Sequence, residues 1–466
     1  MAAPFKLQPG ATLDGYTIGE MLHEGGMAQL WGVAHPDIAG PLLMKVPKMR
    51  DGDDPAAIVG FEMEQMILPR LSGPHVPHFH ANGDFTVQPY IVMERVPGAS
   101  LLPMLKRLPL SFEEVASLGA RIATALADLH RQHVVHLDIK PSNILLREDG
   151  TVVLIDYGLA RHLQLPDLMA EQFRLPYGTA PYMAPEQVQG ERSDFRSDQF
   201  ALGALMYFFA TGTRPFGDPQ RMSGLKRRLW RDPVPPRALR PDLPRAMQEI
   251  ILRCLEIEPA RRYPSAAQLV LELSDLESVA LTTRAEKLRR DSFSVVLKRR
   301  FNPDPRPPAE PQAALQQLAQ APIIAVAIDL SEGSQALADA LRLTVQRLLD
   351  NAPQARVACL NVIRTKLLAL DATSDEDGRN RHVQRLVQLR HWAAPLAGAA
   401  VTCHVLEAVS PADAILEYVR ENQVDHVVMG ARAASTLRSL LGSVSGQVAA
   451  NAPCTVTVVR NRQEMP

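Results

Sequence analysis

His136-Leu137-Asp138-Ile139-Lys140-Pro141-Ser142-Asn143 is followed by Asp156-Tyr157-Gly158 and then by Ala184-Pro185-Glu186. Any one of these motifs could arise by chance; their order decides the reading of the chain. Upstream stand Lys45, in Leu42-Leu43-Met44-Lys45, and Glu64, in Phe61-Glu62-Met63-Glu64. Short apolar runs at 42–46 and 90–93 read as strands, and 56–71 between them as a helix. From 110 to 275 hydrophobic residues recur at three- and four-residue spacing, as in Val115, Leu118, Ile122, Leu126 and Leu129, which predicts a mostly helical region.

At 466 residues the chain suits two or three domains, and a hydrophobic content of 46% supplies packed cores for them. A formal net charge of −1 provides no global basic field, so neither nucleic acid nor an anionic membrane is expected as a partner. Cys254, Cys359, Cys403 and Cys454 lie far apart with no C-x-x-C pair, as reduced thiols in a cytosolic protein would. The opening Met-Ala-Ala-Pro-Phe-Lys has no basic segment followed by an apolar run, so no signal peptide is expected. The most apolar stretch, 200–210, is about half of the ~20 residues a membrane span needs and reads as a buried helix. The expectation is a soluble, cytoplasmic protein.

Taken together, the motifs resemble the bacterial eukaryotic-like Ser/Thr protein kinase family, over about residues 14–275. The resemblance implies an α+β bilobal fold, with an N-lobe at about 14–95 and a C-lobe at about 96–275. It implies ATP and Mg²⁺ as cofactors and protein Ser/Thr hydroxyls as acceptors. Phosphoryl transfer is mostly positioning plus charge stabilisation, so it needs a cation on the nucleotide phosphates, oxygen ligands for Mg²⁺ and a carboxylate facing the acceptor. By resemblance Lys45 binds the phosphates and Glu64 pairs with it. Asp138 faces the acceptor hydroxyl, Lys140 the transferring phosphate, and Asn143 and Asp156 the metal. Alone, each would read as a solvated charge. Lys140 two residues after Asp138, and Gly178-Thr179-Ala180 ahead of Ala184-Pro185-Glu186, are similar to the Ser/Thr class. Asp198 resembles the family's buried anchor of the catalytic loop, and Arg262 the partner of Glu186. The adenine pocket follows by the same resemblance: Leu22 and Leu30 as roof, Leu145 as floor, Met93 as gatekeeper, and Glu94 to Val96 as a hinge offering backbone hydrogen bonds.

Three departures from the family pattern stand out. The phosphate-covering loop reads His23-Glu24-Gly25-Gly26-Met27-Ala28, so Gly25 and Gly26 remain while His23 and Ala28 replace the outer glycines. Side chains there are expected to restrict φ and crowd the phosphates. Leu43 stands where a small residue usually meets adenine. Leu137 replaces the Arg that binds an activation-segment phosphate, and residues 159–177 contain no Ser or Thr. Receptor and acceptor are lost together, so activity is expected not to wait on such a phosphate. Order in that segment is expected from Phe173, Leu175 and Tyr177 or from the C-terminal domain. A pseudokinase or nucleotide-binding scaffold is the alternative reading.

Residues 276–320, with Arg pairs and then Pro303, Pro305, Pro307, Pro308 and Pro311, read as an Arg/Pro-rich linker. After it, apolar runs at 323–328, 357–362, 401–406, 427–429 and 455–459 alternate with helical stretches at about 334–350, 380–397, 411–422 and 436–450. Such alternation predicts a parallel sheet covered by helices. Ala327-Ile328-Asp329-Leu330-Ser331, Gly430-Ala431-Arg432, Leu441-Gly442-Ser443 and Ala452-Pro453-Cys454 resemble the universal stress protein family over 321–461. Ala433 in place of a glycine, and a shortened gap to Gly442-Ser443, leave two readings: an ATP-binding domain, or a dimerising or ligand-sensing module. Family dimers pair their last strands, which implies a homodimer through 455–459.

Overall fold

The computed structural model describes residues 7–49, 55–85, 88–173, 176–301, 322–330, 335–365, 380–396, 400–431 and 443–460. The first strands, β1 (Thr12–Leu13), β2 (Tyr16–Glu24), β3 (Ala28–His35), β4 (Ile38–Pro47), β5 (Phe79–Gly83) and β6 (Tyr90–Glu94), form an antiparallel sheet in the order β1-β2-β3-β4-β6-β5. Side chains alternate across a strand. Leu42, Met44 and Val46 of β4 therefore enter one core with Ile18, Trp31 and Val92, and Lys45 is turned to the other face. Opposite that face lies α1 (Pro55–Ile67), which buries Ile58, Val59, Met63 and Ile67. The helix stops earlier than 71 because Pro69 converts the next turn, Leu68–Arg70, to a 3₁₀ turn.

The second lobe begins with β7 (Ala99–Ser100) and α2 (Phe112–Arg131). Ser111 and Glu114 form a capping box that starts α2, and Val115, Leu118, Ile122, Leu126 and Leu129 are all buried along it. β8 (Val134–Val135), β9 (Ile144–Leu146), β10 (Val152–Leu154) and β11 (Arg161–His162) are short hairpin strands that hold the loops between them. Then come α3 (Leu168–Gln172), a helical turn at Pro185–Val188, α4 (Arg196–Thr211), α5 (Arg245–Cys254) and α6 (Ala266–Ser274). The apolar 200–210 stretch is the buried body of α4. Among the described residues no helix is long and apolar enough to cross a membrane.

Arg262 makes a bidentate pair with Glu186 (2.6 and 2.8 Å), and Glu186 also accepts from Ser197 Oγ at 2.7 Å. Both side chains of the pair are almost wholly buried, at 0% and 2% exposed.

The first part of the expected linker is fastened to this lobe. Glu249 accepts from Thr282, from Arg284 and from the Ala285 amide, while Gln248 donates to three carbonyls at 284–287. Paired charges and buried Val279 and Ala285, not visible in a charge-rich sequence, hold it down. It ends in α7 (Phe293–Phe301); the prolines at 303–311 lie outside the described residues.

The C-terminal strands β12 (Ile323–Ala327), β13 (Arg356–Arg364), β14 (Ala400–Ala408), β15 (His426–Gly430) and β16 (Thr455–Val459) pair in parallel, in the order β14-β13-β12-β15-β16. On one face Val326, Val357, Cys359 and Val428 meet α8 (Gln335–Asn351) and α9 (Arg381–Ala393). On the other, Ala325, Ala358, Leu360 and Val427 meet α10 (Pro411–Glu421) and α11 (Ser443–Asn451). Burial on both faces explains why the strands are continuous apolar runs. The phosphate-loop positions Ala433 and Gly442, with the Ser443 side chain, lie outside the described residues. Edge strand β14 lies against α3; β16 is the other edge.

Glu186→Ala should leave the Arg262 guanidinium without its carboxylate in a dry site, a change that costs about 3 kcal/mol or more. Urea unfolding of the full chain should show the earliest cooperative transition moved to lower denaturant; an unmoved midpoint would contradict this role.

Candidate active site

The loop between β8 and β9 is shaped by a buried carboxylate. Asp198 of α4, 0% exposed, accepts from the backbone N–H groups of His136 and Leu137 at 2.8 Å each and contacts His130 Nε2 at 2.9 Å. These bonds hold Leu137 at φ +63°, a left-handed conformation that a branched side chain adopts only when its surroundings impose it. Leu137 then packs with Val135 and Leu163, so the position that would carry an arginine instead seals a small apolar cluster. Gln187 Nε2 donates to Leu137 O at 2.9 Å and fixes the loop from the other side.

Asp138 is thereby presented in the cleft with both oxygens engaged. Oδ1 accepts from Thr179 Oγ1 (2.7 Å), and Oδ2 from Lys140 Nζ (2.6 Å) and Asn143 Nδ2 (3.0 Å). Across the cleft Lys45 Nζ bridges Glu64 Oε2 (2.5 Å) and Asp156 Oδ1 (2.8 Å). Burial works against the ammonium, but the charges of Asp156 and Glu64 and their hydrogen bonds raise its pKa above that of an ordinary lysine. The same Lys45 charge is what holds Asp156 down at about 2.

Asp156 sits at φ +70°, and the Tyr157 amide after it reaches Glu64 Oε1 at 3.4 Å. Tyr157 is fully buried, with its ring 5.3 Å from that of His136. Gly60 lets α1 press on this turn: a Cβ there would stand 3.0 Å from Gly158 O.

The glycine loop corrects one expectation. His23 pairs with Leu30, Ala28 with Pro47, and Gly25 N donates to Ala28 O at 3.0 Å. The replaced outer positions are strand residues, His23 just past a register shift between Met21 and itself; the turn is left to Gly25 and Gly26, neither at positive φ.

Of the residues expected on the adenine side, Leu22 is 38% exposed, Leu30 and Leu145 are half-buried and Met93 is buried (6% exposed). Leu43 is on the Lys45 side of β4, opposite Met93. The hinge is tied into the lobe around it. Glu94 N donates to His78 O and Arg95 N to Pro41 O, both part of sheet pairing, and the Glu94 side chain pairs with Arg147 at 2.7 Å. Glu94 thus ties the two lobes together, and Val96 follows it, half-buried.

Asp167 caps α3 and pairs with Arg192 (2.8 Å) and Arg161 (3.6 Å); Phe173 and Tyr177 stack edge to face at 5.3 Å. Leu175, expected to help, lies outside the described residues. Asp167, Arg192, Gln187 and His130 all act on the site without having been found from sequence. Each is a common residue with a partner 25 or more positions away, although Asp167 also reaches Arg161 nearby, so no local pattern marks it.

A lysine, two acids, an asparagine and a loop-held aspartate gathered in this way form the arrangement of a protein kinase domain. The protein kinase domain family matches residues 16–272 and the universal stress protein family residues 322–460; the chain belongs to the protein kinase family and carries a universal stress protein domain after it. It is 27% identical over 277 residues to a probable serine/threonine-protein kinase of Clostridium perfringens, covering 59% of this chain and 40% of that one. To the serine/threonine-protein kinase PknH of Mycobacterium tuberculosis it is 30% identical over 308 residues, covering 66% and 49%. The chain therefore spans about half or less of the length of these curated relatives. Among solved structures, the PknI kinase domain of Mycobacterium tuberculosis is 27% identical, with a TM-score of 0.46, covering 58% of this chain and 100% of that one.

Proposed function

We propose that this chain transfers the γ-phosphate of ATP to Ser/Thr hydroxyls of proteins, in a cytoplasmic stress-signalling role. The observation that carries the reading is Lys45 joined at once to Glu64 and Asp156 while Asp138 is held by Lys140, Asn143 and Thr179. A scaffold that only bound nucleotide would have no use for the second group. The four free cysteines suit a reducing compartment. The kinase domain extends over 14–275, the connecting stretch over 276–320 and the stress-protein domain over 321–461.

Each residue then has a task. Asp138 orients the acceptor hydroxyl and takes its proton, with Thr179 and Lys140 fixing the carboxylate; Lys140 also faces the transferring phosphate. Lys45 offers its charge to the nucleotide phosphates, and Glu64 positions Lys45. Leu22, Leu30, Met93 and Leu145 enclose the adenine, Glu94 and Val96 give it the hinge backbone, and Gly25 and Gly26 cover the phosphates. Asn143 and Asp156 fit Mg²⁺: they are hard oxygen donors, Asn143 Nδ2 is committed to Asp138, and Asn143 Oδ1, which accepts from Ser142 Oγ at 3.1 Å, keeps a second lone pair for a cation. When bound, the metal neutralises charge on the phosphates. A homodimer is supported by β16, an apolar strand of Val456, Val458 and Val459 at the sheet edge away from the kinase.

Asp138→Asn and Lys45→Met should each lower transfer from γ-labelled ATP to a peptide by roughly 10²–10⁴-fold while circular dichroism stays native. Wild-type rates in either folded variant would remove the assignment. Exhaustive phosphatase treatment, followed by removal of the phosphatase, should leave the initial rate unchanged, because Asp167 already supplies the activation segment with charge. A rate that collapses and returns with a lag would overturn this. In sedimentation at tens of micromolar the full chain should run as a dimer, and a monomer would count against pairing through β16.

A further inference from the structure

The stress-protein domain grips the two elements whose placement decides whether the site is assembled. Helix α1 carries acids on opposite sides, since residues two apart stand roughly 200° around a helix. Glu64 turns inward to Lys45; Glu62, 3% exposed, turns outward to Arg390 of α9 in the C-terminal domain. Arg390 is kept in place by the Phe85 ring, with its guanidinium 4.8 Å from the centroid. A helix held by both faces has little freedom to swing.

The activation segment is held in the same manner. Glu171 of α3 receives Arg356 at 2.7 Å, His404 Nε2 at 3.1 Å and Tyr418 Oη at 3.3 Å, from β13, β14 and α10. Its neighbour Gln172 donates to Val405 O at 2.8 Å, satisfying a carbonyl of edge strand β14. The His404 side chain is 0% exposed; Nε2 also lies 2.9 Å from Thr402 Oγ1, and Nδ1 has no partner among the described residues. Burial works against a charge on Glu171, but the His404 hydrogen bond and the charges of His404 and Arg356 bring its carboxyl down to about 2.

We propose that the C-terminal domain is a built-in activator: Arg390 on Glu62 holds α1 inward, and Arg356, His404 and Tyr418 on Glu171 order the activation segment. Glu171 thereby takes the part that a phosphate held by arginines takes in phosphorylation-switched kinases. Such a phosphate can be removed; the carboxylate is permanent, so what varies is whether the two domains are docked. Any event that moves α9 or the β13–β14 pair changes catalytic output. This rests on the kinase reading above, and it adds that Glu62, Glu171 and Arg390 are positioning residues.

The test uses the full chain with Arg390→Glu, Glu62→Arg, the double variant and Glu171→Gln. It reads kcat/KM on a peptide together with hydrogen exchange of residues 55–67 and 168–173. Each charge reversal should cost about tenfold or more in kcat/KM and speed exchange in α1, because it sets like charges together in a mostly buried site. The double variant should regain most of both. Glu171→Gln should speed exchange at 168–173 and lower kcat/KM. Single variants with wild-type rates and exchange, or a double variant no better than the singles, would overturn the proposal. Were the wild-type chain to show no transfer, the kinase reading would fail, and exchange with its charge-swap rescue would still decide whether the clamp exists.

Discussion

One cation carrying two carboxylates organises the catalytic half of this molecule. Lys45 comes from a strand, Glu64 from a helix and Asp156 from the loop after β10, and without the ammonium the two acids would repel each other. Attraction from the centre therefore sets the distance between sheet and helix, and Gly60 against Gly158 shows how close that distance is. The strained backbone at Leu137 and Asp156 is tolerable only because Asp198 and Lys45 hold the flanking groups by several bonds at once.

What the sequence conveyed depended on how local the cause was. The hydrophobic spacing of α2 and the doubly buried runs of β12 to β16 follow from periodicity, and they were legible. So were Lys45, Glu64, Asp138, Asn143 and Asp156 as a set, since their order along the chain resembles that of the protein kinase family and the structure brings them together. The glycine loop misled because a glycine pattern does not say which positions are turn and which are strand: His23 and Ala28 are ladder residues. At Glu94 nothing in the sequence signalled the pair with Arg147, whose side chain stands 53 positions further on. The connecting stretch at 276–291 read only as the start of a linker because its anchors, Gln248 and Glu249, belong to α5.

Glu171 and Glu62 were beyond such reading for a stronger reason. Their partners, at 356, 404, 418 and 390, lie on another domain, and an acid on a short helix gives no sign that it will be buried. Leu137, by contrast, could be noticed as an anomaly but not explained. The structure gives the physical account: an apolar side chain closes the Val135–Leu163 cluster, and the negative charges on the segment pair elsewhere, Asp167 with arginines of its own lobe and Glu171 across the domain boundary.

The two margins of the C-terminal sheet are unlike. One is occupied by the catalytic domain, which even caps a strand carbonyl through Gln172; the other, β16, pairs with no further strand among the described residues. Two copies joined margin to margin would make a single continuous sheet with the enzymes at its far ends, nine strand spacings of about 4.8 Å, or about 43 Å, apart before their own girth is added. Such an assembly is a spacer bar. It keeps each active centre out of its twin's reach and offers the pair to targets, or to neighbouring assemblies, at a fixed separation.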